Sequence, residues 1–152
     1  MNTGGKLSKV ESALKCFNDG EGFNCSQSVL SAYAGQMGLD HELALKISTG
    51  FGGGMGRKGE VCGAVTGALM VIGLTHGRTA IEDTGSKERT YELVGEFINR
   101  FKSRNGSILC RELLGYDIGT PKGYAAAKEQ KVFSEICPTM VQAAAEILED
   151  IL

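Results

Sequence analysis

The sequence predicts an all-α fold, a single-domain bundle of about five to seven helices that spans residues 1–152. Apolar residues recur at helical spacing between short polar breaks, no convincing stretch alternates apolar and polar residues as a strand does, and the chain holds only two prolines. A length of 152 residues suits one hydrophobic core and is too short for two of ordinary size. We therefore expect one domain with a buried, glycine-containing helix at its centre.

The first three helices are predicted from their apolar faces and their caps. The first ends before the polar turn of residues 19–22, and its inward face comprises Leu7, Val10, Ala13, Leu14 and Phe17. Asn24 is the expected N-cap of the second helix, with Gln27 at its third position, and Gly38 is its expected end. The inward residues of this helix are Val29, Leu30, Tyr33 and Met37. Asp40 is expected to cap a third, short helix, whose apolar stripe comprises Leu43, Ala44 and Ile47.

The middle of the chain predicts one buried helix and one amphipathic helix. Residues 61–74 are apolar on nearly every face, which suits a helix at the centre of a bundle. Gly63 and Gly67 lie one turn apart in it and would permit close contact with another helix. In the amphipathic helix, Glu96 and Arg100 form an exposed pair at i,i+4 spacing. Its expected buried face comprises Tyr91, Val94, Phe97, Ile98 and Phe101.

The last third of the chain predicts shorter helices around one loop. Ser107 is expected to cap a short helix that ends where a loop over residues 115–124 begins. A further helical piece is expected at residues 125–132. The last helix is predicted to run through residues 141–152. Pro138 favours the first position of a helix, because the amide proton that proline lacks would have no hydrogen-bond partner there.

A glycine-rich segment, GFGGGMGRKGEVCGAVTGALMVIG, is either a phosphate-binding loop or a backbone arrangement built around Cys62. Residues 54–59 fit the G-x-G-x-x-G pattern of dinucleotide-binding proteins. That motif needs a strand before it, whereas residues 41–49 look helical, and a Walker A loop is excluded because Lys58 precedes a glycine. The glycines instead predict positive φ angles and close backbone approach around the start of the next helix, where Cys62 lies.

Four of the five cysteines fall at predicted helix starts. Cys25, Cys62 and Cys110 lie at or within a first turn, Cys137 is the expected N-cap of the last helix, and Cys16 is expected only to pack inside the first. Helix starts carry partial positive charge and free amide donors, which stabilise a thiolate and lower the cysteine pKa. If these helix starts converge, the four sulfurs could form a redox disulfide, or hold a soft metal or an iron–sulfur cluster. The alternative is that they are small buried apolar residues.

The cysteine-bearing stretches resemble a known family. They read FNCSQSVL around Cys25, GFGGGMGRKGEVCGAVTGALMVIGL around Cys62, CRELLGYD at Cys110 and FSEICPTMV around Cys137. Together they resemble the four-cysteine family of redox-active proteins labelled C_GCAxxG_C_C, over nearly the whole chain. The resemblance implies a redox function, and a related domain occurs in split-Soret cytochromes, which look similar in the cysteine-bearing core. The chain has no C-x-x-C-H, so covalently bound haem is not expected.

Composition excludes several other classes of function. A formal net charge of −2 argues against nucleic-acid binding. No stretch reaches the roughly 18 apolar residues of a membrane helix, and the N-terminus lacks the apolar block of a signal peptide, so we expect a cytoplasmic protein without membrane contact. His41 and His76 lack the spacing of a paired metal site. Arg57 and Lys58, beside the cysteine, could favour the thiolate or receive an anionic partner.

Three functions remain open. The first is a redox protein, a candidate oxidoreductase, in which Cys25, Cys62, Cys110 and Cys137 form one thiol site for disulfide or electron-transfer chemistry. The second is a metal or iron–sulfur carrier that uses the same four sulfurs without catalysis, and the third is a helical interaction module with structural cysteines. The sequence does not identify the electron donor or acceptor. A homodimer is plausible because so glycine-rich a bundle would complete its burial against a copy of itself.

Overall fold

The computed structural model describes residues 7–152, and in this part of the chain it contains helices, turns and loops but no strand. The predicted all-α class is confirmed. Helices of at least five residues number eight. They are α1 (Lys9–Phe17), α2 (Cys25–Ala34), α3 (His41–Ser48), α4 (Gly63–His76), α5 (Thr84–Asn105), α6 (Cys110–Leu114), α7 (Pro121–Glu129) and α8 (Cys137–Ile151). The predicted number of five to seven is therefore wrong.

The first six residues of the predicted domain lie outside the described part, and so does the start of the segment that was tested for a signal peptide. No helix among residues 7–152 has the length and apolar character needed to cross a bilayer.

Helix α4 packs against α2, α5 and α8, and α1 packs against α2 and α8. The first six residues of α4, from Gly63 to Ala68, are buried, as are Val71 and Ile72. Leu74, near its end, is 39% exposed. The start of α4 therefore lies deep in the bundle, whereas its last turn reaches the surface.

Two glycines allow α4 to approach α2 closely. A Cβ atom on Gly67 would lie 2.7 Å from the carbonyl oxygen of Ser26, and one on Gly63 would lie 3.0 Å from the amide nitrogen of Ser26. A side chain at either glycine would push the two helices apart, so the predicted close contact is confirmed. Because Cys25 precedes Ser26 and Cys62 precedes Gly63, this contact also joins two of the cysteine-bearing helix starts.

The start of α2 is fixed by hydrogen bonds local in the chain. The Asn24 side chain accepts a hydrogen bond from the amide of Gln27, and the Gln27 side chain accepts one from the amide of Asn24. This is the predicted capping box, and it makes Cys25 the first helical residue. Asp40 caps α3 through the amide of Leu43, also as predicted.

Three helix starts in the last third of the chain differ from the prediction. Helix α6 begins at Cys110, with Leu109 rather than Ser107 as its N-cap. The second half of the expected loop 115–124 belongs to α7, because the Thr120 hydroxyl accepts a hydrogen bond from the amide of Gly123 and Pro121 occupies the first turn. Helix α8 begins at Cys137 rather than after it. Cys137 is therefore the first helical residue, not the N-cap.

Four apolar residues that were expected to point inward are exposed. Leu7 is 47% exposed, because it lies before the start of α1. Tyr91 is 62% exposed, because the buried stripe of α5 passes through Leu93 instead. Leu43 and Ile47 are 48% and 49% exposed, and in α3 the buried positions belong to smaller residues such as Ala44. The ion pair predicted in α5 is present, with a distance of 3.0 Å between its guanidinium and carboxylate groups.

Candidate functional site

One cavity of about 750 Å³ is lined by four of the five cysteines. Cys25, Cys110 and Cys137 are the first residues of α2, α6 and α8, and Cys62 directly precedes α4. Each of the four is buried, with 5–9% of its surface exposed. Cys16, near the end of α1, does not line the cavity. The structure thus brings together the four predicted site residues and leaves the fifth cysteine apart.

The backbone holds Cys62 and Cys110 beside each other. Val61 and Leu109 form an isolated antiparallel bridge, and each of these two cysteines directly follows one of the bridged residues. The amide of Cys110 donates a hydrogen bond to the carbonyl oxygen of Glu60 at 2.6 Å. Because side chains alternate along extended backbone, both thiols lie on the side of the bridge opposite the valine and the leucine.

The glycine-rich segment makes room for this arrangement. Gly54 has φ +67°, and a Cβ atom there would lie 2.7 Å from the Cβ of Cys110 and 2.7 Å from the amide nitrogen of Glu60. The predicted positive φ angles and close approach are confirmed, but the cysteine most closely approached is Cys110 rather than Cys62. Other residues of the segment with positive φ are Gly53, Met55, Gly56, Arg57 and Gly59. The segment therefore builds the wall of the cysteine cavity.

Burial determines the pKa of Cys62 and Cys110. Loss of hydration raises the pKa of Cys62 to about 11, although the amides of Ala64 and Val65 oppose the change. Burial, with the neighbouring thiols Cys62 and Cys137, raises the pKa of Cys110 to about 12. The expectation that a helix start lowers the pKa of every cavity cysteine is therefore wrong, because desolvation outweighs the helix dipole and the amide donors here.

Cys25 and Cys137 behave as a pair. The Cys137 thiol beside it, followed by burial and by the other cavity cysteines, raises the pKa of Cys25 well above its usual value. The neighbouring Cys25 thiol lowers the pKa of Cys137, and the amide of Cys137 itself adds to this, while burial opposes it. The proton is therefore retained on Cys25, and Cys137 is the cavity thiol that ionises most readily.

Charged and aromatic side chains complete the lining. Arg57, Lys128 and Lys131 contribute positive charge, and the guanidinium carbon of Arg57 lies 5.0 Å from the ring centroid of Tyr124. The sequence pointed to Arg57 and to Lys58, but Lys58 does not line the cavity. The two lysines that do were missed, because no motif connects them to the cysteines. Their position shortly before Cys137 was the only available signal.

The cysteines as placed do not fit a metal centre. Among residues 7–152, no three Cys, His, Asp or Glu side chains stand where they could hold a metal ion. Structural zinc sites and iron–sulfur clusters are usually held by four such ligands. The arrangement of Cys25, Cys62, Cys110 and Cys137 therefore does not support the predicted metal or cluster site.

Residues 23–151 match the sequence model of the family described as "Putative redox-active protein (C_GCAxxG_C_C)". The chain belongs to this family. The C_GCAxxG_C_C match includes all four cavity cysteines and excludes Cys16. The resemblance seen in the cysteine-bearing stretches is thus confirmed, together with the redox description that the family carries. Neither the curated proteins nor the solved structures give a match to this chain.

Proposed function

We propose that this C_GCAxxG_C_C protein is a dithiol oxidoreductase in which Cys25 and Cys137 exchange electrons with a disulfide substrate. The observation that carries the proposal is that Cys25 and Cys137 begin two helices that pack together, and that both thiols line the same cavity. Each thiol shifts the pKa of the other, downward for Cys137 and upward for Cys25. One thiol of the pair is thereby readied to attack while the other keeps its proton. Attack by a thiolate on a disulfide sulfur is the step that begins thiol–disulfide exchange.

The reaction proceeds in two displacements. The Cys137 thiolate attacks one sulfur of the substrate disulfide, a new S–S bond forms, and the second substrate sulfur leaves as a thiolate and takes up a proton. Cys25 then loses its proton and attacks Cys137, which releases the first substrate sulfur as a thiol. The two protein thiols are oxidised to one disulfide, and the substrate disulfide is reduced to two thiols.

Cys62 and Cys110 are assigned a supporting role. Their pKa values of about 11 and about 12 keep them protonated at neutral pH, so they add no negative charge beside the Cys137 thiolate. The bridge between Val61 and Leu109 makes them diagonal neighbours, which in antiparallel pairs are about 7–8 Å apart. This exceeds the usual Cα separation in a disulfide, which is roughly 4.4–6.8 Å. Cys25 and Cys137 are therefore the expected first pair to oxidise.

The test is to oxidise the fully reduced protein with one equivalent of hydroxyethyl disulfide and to map the products by peptide mass spectrometry. We expect a Cys25–Cys137 disulfide, no disulfide in Cys137→Ser, and a mixed disulfide trapped on Cys137 in Cys25→Ser. Cys16→Ser is the matched control, because Cys16 lies outside the cavity, and it should react like the unaltered protein.

Two results would overturn the proposal. One is oxidation that proceeds equally well in Cys137→Ser. The other is iron or zinc bound stoichiometrically after anaerobic purification and lost on substitution of the cavity cysteines, which would favour the alternative of a metal or iron–sulfur carrier. A helical module with inert cysteines would show only slow, uniform oxidation. The cytoplasmic location and the homodimer stay predictions.

A further inference from the structure

The shape of the cavity restricts the kind of disulfide that reaches the thiols. Cys137 is only 8% exposed and lies in the wall of a cavity of about 750 Å³. Pockets of roughly 300–1,000 Å³ are the size that encloses a small molecule. A disulfide inside another folded protein would have to enter together with the chain segments on both sides of it. The geometry therefore favours a small, free disulfide.

Positive charge in the cavity wall is not paired with carboxylates within residues 7–152. Arg57, Lys128 and Lys131 all line the cavity, and none of them forms an ion pair with a carboxylate anywhere in residues 7–152. Three cations around one concave site attract an anion, because low-dielectric walls focus their field. Carboxylates of a substrate are the groups that would match them.

Arg57 is positioned for this purpose. Its side chain packs over Gly53, where a Cβ atom would come within 2.9 Å of the Arg57 Cγ, and its guanidinium lies over the ring of Tyr124. Its backbone is also held at φ +65°, a conformation that residues other than glycine rarely adopt. A guanidinium held in this way loses little freedom when it binds a carboxylate.

The same cavity also carries negative charge. Asp19 and Glu21 line it from the turn after α1, and neither forms an ion pair within residues 7–152. Gly20 lies between them, and a Cβ atom added at Gly20 would be 3.2 Å from the Phe133 carbonyl oxygen. The turn is therefore packed onto the segment that follows Lys131. A ligand in this cavity meets cations and carboxylates together.

We infer that the substrate is a small zwitterionic disulfide, built from amino acids or a short peptide, whose carboxylates face Arg57, Lys128 and Lys131 and whose ammonium group faces Asp19 or Glu21. This inference rests on the proposed dithiol function and specifies the substrate class of the same site. The reaction is the exchange given above, with the zwitterionic disulfide as oxidant, and it yields two zwitterionic thiols.

The test compares the rates at which three disulfides oxidise the reduced protein. The probes are oxidised glutathione, which carries carboxylates and ammonium groups, hydroxyethyl disulfide, which is neutral, and cystamine, which carries ammonium groups alone. Each rate is divided by the rate of the same disulfide with free dithiothreitol, which removes differences in intrinsic reactivity. We expect oxidised glutathione to give the highest ratio, and its advantage to shrink as salt is added.

Charge variants on α7 make the test specific. Lys128→Glu should lower the ratio of the glutathione rate to the hydroxyethyl disulfide rate by about three- to tenfold, as expected for a charge at a binding site. Lys122→Glu is the matched control, because Lys122 lies exposed on the same helix and does not line the cavity. Its ratio should change by less than about twofold.

The outcomes separate this inference from the proposed function. If no disulfide oxidises Cys25 and Cys137 faster than free thiols react, the dithiol function itself fails. If all three small disulfides react fast but with equal ratios, and Lys128→Glu changes none of them, the function stands and the zwitterionic substrate is wrong. If the disulfides of a scrambled, fully oxidised protein react faster than oxidised glutathione, the substrate is a protein and the inference is overturned.

Discussion

Cys25 and Cys137 are each the first residue of a helix, and both line the same cavity. Helices α2 and α8, which carry them, also pack together directly. The contact gives the two thiols opposite pKa shifts, upward for Cys25 and downward for Cys137. Cys25 therefore keeps its proton, whereas Cys137 ionises readily.

The different pKa values of Cys25 and Cys137 should appear as different pH dependences of their alkylation rates. We expect Cys137 to react with iodoacetamide at a lower pH than the other cavity thiols, because only the thiolate is nucleophilic and its pKa is lowered. In Cys25→Ala the neighbouring thiol is lost while burial remains, so the pKa of Cys137 should rise and its reaction should shift to higher pH. The measurement is the labelling rate of each cysteine, by peptide mass spectrometry, between about pH 5 and 10. Equal midpoints for all four thiols would contradict the pairing.

Alkaline unfolding should depend on Cys62. Burial raises its pKa from 9.0 to about 11, so the unfolded chain loses this proton at lower pH than the folded protein does. The contribution of Cys62 to the free energy of unfolding is therefore complete below pH 9. It is lost as the pH rises through about 11, which lowers the free energy of unfolding by about 3 kcal/mol. Urea unfolding at increasing pH should show a smaller decline in unfolding free energy for Cys62→Ala. For Cys16→Ala, the free energy of unfolding should decline with pH as steeply as it does for the unaltered protein. An equal decline in Cys62→Ala and Cys16→Ala would refute the assignment.

Parts of the fold that rest on local hydrogen bonds were predictable from the sequence. The capping box of Asn24 and Gln27 uses residues three apart, so their types alone indicate where α2 begins. The helix predicted at residues 125–132 begins earlier, at Pro121, although α7 also has a local cap, because Thr120 and Pro121 are typical of both loops and helix starts. Local composition does not decide between those two alternatives.

The cavity itself depends on contacts between distant parts of the chain. The sequence placed four cysteines at helix starts, but their approach depends on the contact of Gly67 with Ser26 and on the bridge of Val61 with Leu109. The pKa shifts depend on burial in the same way. A helix dipole can be predicted from the sequence, whereas the desolvation that outweighs it at Cys62 exists only in the assembled bundle.

The contact between α2 and α4 can be tested with two alanines in one helix. Gly67→Ala should destabilise the protein by about 1–3 kcal/mol, because its Cβ would meet the Ser26 carbonyl oxygen at 2.7 Å. Gly73→Ala is the matched control, since no atom lies within 4 Å of its added Cβ. There the gain in helix propensity should stabilise by up to about 1 kcal/mol. Thermal or urea unfolding measures both, and equal effects would show that the helices do not touch at this glycine.

The packing of the glycine-rich segment against α6 can be tested with a second alanine pair. Gly54 and Gly56 both have positive φ, +67° and +61°, so alanine at either position should cost about 1–2 kcal/mol of backbone strain. Only at Gly54 does an added Cβ also collide with Cys110 and with Glu60, whereas at Gly56 no atom lies within 4 Å.

Gly54→Ala should therefore be less stable than Gly56→Ala by about a further 1–3 kcal/mol in urea unfolding. The added Cβ should also weaken the hydrogen bond from the amide of Cys110 to the carbonyl oxygen of Glu60, and so expose Cys110 to faster labelling by a thiol reagent. If Cys110 is labelled at the same rate in both variants, the glycine segment shapes its own turn but does not hold this cysteine in the cavity wall.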